Sequence, residues 1–136
     1  MAASVLADAG FLVALLSQRD GFHRWAMGQA SRFPPPWSTC EAALSEGFDL
    51  LGRAGAPALG ALLTRGSLQI GFELRNHVEP VLRLMRKYED LPMSLADACL
   101  VRMTEVLADP RVLTTDSDFR VYRRHGRLTV PCVTPD

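Results

Sequence analysis

Two short apolar runs, one near each end of the chain, stop on acids: Val5-Leu6-Ala7 gives way to Asp8, and Val112-Leu113-Thr114-Thr115 gives way to Asp116 and Asp118. Brief, unbroken apolar segments of this kind read as strands buried on both faces. Between them strand-like and helix-like segments alternate, which implies parallel pairing with helices packed on either side. The expected architecture is α/β, a three-layer α/β/α sandwich around a central parallel sheet. Ligands of such folds collect at the carboxyl ends of the strands, and Asp8 and Asp116 fall there.

The sequence predicts strands over residues 4–7, 37–39, 68–72, 112–115 and 128–133. Helices are expected over about 9–16 and 21–30, the second ended before the rigid connector Pro34-Pro35-Pro36. Leu44, Phe48 and Leu51 recur at helical spacing within 40–53, Gly52 and Gly55 weaken that helix near its end, and 57–63 reads as a further short helix. Val78, Val81, Leu82, Met85 and Tyr88 mark one face of an amphipathic helix. Another opens at Ser94-Leu95-Ala96-Asp97 and runs to about Leu107, ahead of Asp109-Pro110, and 117–124 is a last short one. A chain of 136 residues, 48% hydrophobic and without repeats or linker-like tracts, is expected to form one domain over residues 1–136.

Acids crowded at one end of a sheet repel each other and are usually kept together by a divalent cation. Asp8, Glu46, Asp97, Asp116 and Asp118 are the acids that stand at, or ride a helix beside, strand-to-helix turns. Each has an ordinary alternative explanation. Asp8 can cap a helix, Asp116 and Asp118 can be first-turn acids favoured by the helix dipole, and Ser94 with Asp97 fits a capping box. Glu46 lies among Ala42, Ala43, Leu44 and Phe48, where the helix reads as mostly buried and an unpaired acid is costly. Its rival is Glu41. Five helical positions turn through about 500°, or about 140° net, so the two cannot share one face. Thr114 and Thr115 precede Asp116, and a hydroxyl there can bond a carboxylate, although strand propensity also explains a threonine pair.

Composition narrows the function classes. The 15 Lys+Arg balance the 15 Asp+Glu, so nothing in the total charge demands a polyanionic partner, and affinity for nucleic acid must come from local patches or bound metal. Lys87 is the sole lysine among those 15 basic residues; arginine suits bidentate phosphate contacts, and codon usage of the source genome accounts for such a bias equally. Arg120, Arg123, Arg124 and Arg127 cluster behind the last acids, a pattern that suits phosphate contacts and suits a solvated face equally. Cys40, Cys99 and Cys132 form no close pair and read as buried free thiols of a reducing, cytoplasmic compartment. No apolar run approaches the roughly 18 residues of a membrane helix, and no basic segment opens a signal peptide. His23, His77 and His125 are far apart, fit no zinc spacing and are expected at the surface.

Leu6-Ala7-Asp8-Ala9-Gly10-Phe11-Leu12, Leu44-Ser45-Glu46, Leu95-Ala96-Asp97-Ala98 and Leu113-Thr114-Thr115-Asp116-Ser117-Asp118-Phe119 resemble the acidic motifs of PIN-domain proteins, and the VapC-type toxins in particular. The resemblance spans nearly the whole chain and keeps the family's order and approximate spacing; the Leu-Ser-Glu context favours Glu46 over Glu41. It implies a ribonuclease dependent on Mg²⁺ or Mn²⁺ with Asp8, Glu46, Asp97 and Asp116 as catalytic residues, Asp8, Asp97, Asp116 and Asp118 as metal ligands, and Glu46 orienting the attacking water. Products with a 5′-phosphate and a 3′-hydroxyl are implied as well. Hard divalent cations favour such oxygen ligands independently of any family.

The same resemblance implies a toxin of a toxin–antitoxin pair, a homodimer, and a cognate antitoxin segment covering the acidic groove. Phe22, Trp25, Met27 and Phe33 suit such surfaces and suit a core equally. The alternative is a PIN-like module that binds RNA or protein without cutting. Other phosphate chemistries fit less well: a haloacid-dehalogenase-type phosphatase needs a second acid where Gly10 stands, and a response-regulator receiver needs a lysine late in a strand, whereas Lys87 lies in a helical segment.

Overall fold

In the computed structural model, which describes residues 3–136, strand and helix alternate from the first element. The order is β1 (Ser4–Ala7), α1 (Ala9–Leu16), α2 (His23–Arg32), β2 (Trp37–Thr39), α3 (Glu41–Arg65), β3 (Leu68–Ile70), α4 (Val78–Lys87), α5 (Leu95–Val106), β4 (Pro110–Leu113), β5 (Arg123–Arg124), β6 (Leu128–Thr129) and β7 (Cys132–Val133). The main sheet runs β3-β2-β1-β4-β7 with every pair parallel. Strand progression moves one way from β1 to β3 and then jumps to the other side of β1. Right-handed crossovers therefore place α1, α2 and α3 on one face and α4 and α5 on the other.

Successive strand residues serve opposite layers, as the pleat requires. Leu6 and Val112 join the core with Val81 of α4 and Leu100, Val101 and Met103 of α5. Their neighbours Ala7 and Leu113 join the other core, with Phe11 and Leu12 of α1, Ala26 of α2 and Leu59 and Leu62 of α3. Burial on both faces is why these strands read as unbroken apolar runs. The expected three-layer sandwich with a central parallel sheet is the observed one.

Several local expectations need correction. The two helices expected over 40–53 and 57–63 are present within α3, but the break between them falls at Gly52, whose φ of 64° and ψ of −166° only glycine adopts readily, so the second begins ahead of Pro57. Pro57, whose ring and missing N–H disfavour a helix interior, stands just past that break. Strand β4 spans Pro110–Leu113, so Thr114 and Thr115 lie beyond its end. Residues 117–124 hold only the 3₁₀ turn Ser117–Arg120 followed by β5. The single last strand is two strands in different sheets: β6 pairs antiparallel with β5 around a turn at His125 and Gly126, and β7 closes the main sheet beside β4.

On α4, Val78 and Leu82 are exposed, and the residues that meet the core are Val81, Leu84, Met85 and Tyr88. Of the apolar set on and around α2, Phe22 and Met27 are exposed while Trp25 and Phe33 pack against the core. Two histidines are half-buried rather than superficial. His23 holds Nδ1 2.8 Å from Ala14 O, and the His77 ring stacks on Phe72 at 4.8 Å. Cys40 and Cys99 are buried, Cys132 is half-buried, and all three are free thiols. No helix among the described residues is long and apolar enough to cross a membrane.

Candidate active site

The crevice of this sheet lies where the strand order reverses, at the carboxyl ends of β1 and β4. Asp8 follows β1 directly. Its N–H donates to Leu113 O at 3.0 Å, which extends the β1–β4 ladder by one step. Its Oδ1 accepts the Ala9 N–H at 2.8 Å and so caps α1, while Oδ2 accepts the Thr114 hydroxyl at 2.6 Å. The same Thr114 oxygen accepts the Asp116 N–H at 3.0 Å. Thr114 therefore joins the carboxylate at the end of one strand to the backbone that presents the acid at the end of the next. On the far side of β1, the Thr39 hydroxyl donates to Ala7 O at 2.7 Å.

Gly10 is needed for this approach. A Cβ there would come within 2.1 Å of Thr115 Oγ1, so any side chain would displace either the Thr115 hydroxyl or α1. Asp116 in turn caps the following 3₁₀ turn, accepting the Asp118 N–H through Oδ1 at 2.9 Å.

Asp97 enters from the N-terminus of α5. The capping box is formed: Ser94 Oγ accepts the Asp97 N–H at 3.0 Å and Asp97 Oδ2 accepts the Ser94 N–H at 3.2 Å. Asp97 Oδ2 also accepts the hydroxyl of Tyr122 at 3.0 Å. Both contacts fall on one oxygen, and Oδ1 accepts no hydrogen bond among the described residues. Capping and a place in the acidic crevice thus coexist, as they do at Asp8 and Asp116, so the helix-cap explanations are correct without excluding the other role.

The electrostatics draw the acids into one group. Burial pushes the Asp8 carboxyl up to about 7, the charges of Asp97 and Glu46 add to it, and the Thr114 and Ala9 hydrogen bonds oppose it. Asp97 is also raised, first by burial and further by Asp116, against the Ser94 and Tyr122 hydrogen bonds. Glu46 is raised by partial burial and then by Asp97 and Asp116. Burial raises the Tyr122 hydroxyl, and Asp97, Asp116 and Asp118 raise it further.

The ion pairs among the described residues join Arg75 to Glu73, Arg102 to Glu105 and Arg120 to Asp136; none reaches the crevice acids. The cluster therefore carries negative charge with no protein cation to neutralise it. As the side chains stand, no three acids, histidines or cysteines among the described residues are close enough to enclose a metal ion by themselves. Mg²⁺ keeps several waters and takes only one or two carboxylates plus substrate phosphate. An uncompensated, all-oxygen set with open carboxylate oxygens fits that habit.

Glu46 stands on the exposed side of α3, beside Ser45, Phe48 and Asp49, so the expectation that it is buried is wrong. The kinked helix turns its apolar side, Ala43, Leu44 and Gly47, to the core instead. Glu41 faces a different cavity, lined by Cys40, Phe72 and Leu74. Asp118 is half-buried, and its backbone N–H serves Asp116. The arginines behind the last acids are largely used by the fold: Arg120 bonds Thr134 and Asp136, Arg123 Nη1 donates to the carbonyls of Arg120, Val121 and Tyr122, and Arg124 bonds Thr104 O. Tyr122 is the residue sequence reasoning missed. Nothing local marks it, because its partner is 25 positions away.

The strand order with β1 central, the helix layers and the acids at the reversal point can be compared with solved structures. The crystal structure of Mycobacterium tuberculosis VapC20, a sarcin-ricin loop cleaving toxin, superposes on 87% of this chain and 94% of its own with a TM-score of 0.73, at 21% sequence identity. The fold is the PIN-like α/β/α sandwich of that structure. No family model and no curated protein sequence matches the chain, so the likeness is one of three-dimensional fold.

Proposed function

We propose that this chain, as one PIN domain over residues 1–136, is a divalent-metal-dependent endoribonuclease and the toxin of a toxin–antitoxin pair. The observation that carries the reading is Asp8: buried at the switch point of the sheet, raised to about 7, and held among other acids without a cation. The likeness to a toxin that cleaves the sarcin-ricin loop supports RNA as the substrate class.

Asp8, Asp97 and Asp116 would hold Mg²⁺ or Mn²⁺, with Asp118 outside them. A bound divalent cation supplies Lewis-acid stabilisation of the charge that develops on a phosphodiester under attack. Glu46, on its exposed helix face, orients the attacking water and accepts its proton, a task favoured by a carboxyl held above its ordinary range. Thr114 and Tyr122 donate to Asp8 and Asp97 and so fix which oxygens of those acids face the crevice. A homodimer, an antitoxin segment over the acids and a cytoplasmic location complete the proposal.

The test pairs thermal unfolding of wild type and Asp8→Asn, with and without Mn²⁺, with cleavage of a mixed RNA pool by the same samples. Metal-dependent stabilisation and cleavage, both lost in the variant, are expected. Stabilisation by metal with no cleavage of any RNA would favour the silent binding module, and the absence of any metal response would remove the nuclease reading.

A further inference from the structure

A nuclease of zero net charge whose crevice is acidic must find attraction for RNA phosphates elsewhere. Arg120, Arg123 and Arg124, behind the crevice acids, are held by oxygens of the fold. Two cations without an acid partner among the described residues, Arg83 and Lys87, instead line a cavity of about 440 Å³ between α4, α5 and the β5–β6 turn. Arg83 and Lys87 reach it from α4, Arg102 from α5, and His125 from the turn. Neither Arg83 nor Lys87 pairs with an acid among the described residues.

The one acid lining the cavity, Glu105, is already engaged through both oxygens. Oε1 takes Arg102 Nη1 at 3.1 Å and Oε2 takes the His125 N–H at 2.7 Å. Arg102 is further fixed by its Nε–H, which donates to His77 Nδ1 at 3.2 Å. Lys87 Nζ donates to Gly126 O at 3.0 Å and lies 5.3 Å from the Tyr88 ring centroid, leaving further ammonium protons unused. The turn doubles back through left-handed backbone, with His125 at φ 51° and Gly126 at φ 78°. The cavity thus has surplus positive charge and, in Arg83, a guanidinium fork suited to bidentate phosphate contacts.

We infer that this cavity is a phosphate-binding site that holds a backbone phosphate of the RNA strand away from the cleavage crevice. Glu105 lies eight positions beyond Asp97 on the same helix, about 12 Å along its axis, so one strand can reach both places. The inference rests on the ribonuclease reading for the source of the phosphate. The cavity chemistry itself calls only for a phosphate group.

The test is binding of a short single-stranded RNA in EDTA as a function of salt, with wild type, Arg83→Ala/Lys87→Ala and the control Arg24→Ala on α2, each checked for an unchanged melting temperature. In parallel, inorganic phosphate is titrated into ¹⁵N-labelled protein and the amides of His125 and Gly126 are followed. The double variant should bind RNA at least tenfold more weakly, with the slope of log K against log salt shallower by about 1.4 for two lost contacts. Phosphate-induced shifts should saturate in wild type and vanish in the double variant, and the control should match wild type. An RNA affinity and slope unchanged in the double variant would overturn the inference, and metal-dependent RNA cleavage by wild type would show that the ribonuclease reading survives it. Saturable phosphate binding by a protein that neither binds nor cuts RNA would overturn the assignment to RNA together with that reading. An equal loss in the control would reduce the effect to general charge and overturn the site.

Discussion

Thr114 donates its hydroxyl proton to Asp8 Oδ2 at 2.6 Å, and its oxygen accepts the Asp116 N–H, so one side chain ties together acids 108 positions apart in the chain. This clip opposes the burial that pushes Asp8 up. Thr114→Val should raise the Asp8 pKa further and cost about 1–3 kcal/mol of stability. A pH–rate profile displaced to higher pH, restored by Thr114→Ser, distinguishes the clip from mere packing.

Asp8 sets the pH dependence of the metal-free fold. Its carboxyl has an ordinary value of 3.8 and rises to about 7 on folding, so between these limits the folded state binds more protons than the unfolded chain. Stability from this group is therefore fully present below about pH 4 and is lost as pH rises through about 7. The full span corresponds to an upper limit of about 4 kcal/mol. Urea unfolding at pH 5 and pH 8 without metal should show wild type losing stability relative to Asp8→Asn, and saturating Mn²⁺ should reverse the loss at pH 8.

Asp97 and Tyr122 separate support from repulsion. Tyr122→Phe keeps the ring against Tyr88 and Phe119 and removes only the hydroxyl, so it should cost about 1 kcal/mol and weaken Mn²⁺ stabilisation. Asp97→Asn preserves a capping oxygen while deleting a charge repelled by its neighbours. It should raise the metal-free melting temperature at pH 8 and abolish cleavage; a lower melting temperature with an intact metal response would leave capping as its sole role.

Gly10→Ala places a methyl within 2.1 Å of Thr115 Oγ1. The clash should cost about 1–3 kcal/mol and move Asp8 away from β4, lowering metal affinity as well. Thr115→Ala in the same chain should recover part of both, giving a favourable coupling energy in a double-mutant cycle.

The strand-ending acids, the alternation of strand and helix and the capping signals were legible because each is a local pattern. Apolar runs stop where burial stops, and a serine three residues before an acid makes its cap wherever the helix goes. The acidic motifs were legible for the same reason, since each sits beside its own strand or helix end.

The tertiary structure decided what those patterns meet. It joined Tyr122 to Asp97, placed Glu46 on an exposed face within the field of Asp97 and Asp116, and engaged Arg123 and Arg124 with carbonyls while leaving Arg83 and Lys87 without an acid partner among the described residues. It also split the last apolar segment between two sheets. These outcomes depend on which distant elements the packing brings side by side, and spacing along the chain carries no record of that. The sequence by itself determined where acids stand on their elements; only the packing of β1, β4 and α5 around one crevice made their charges act on each other.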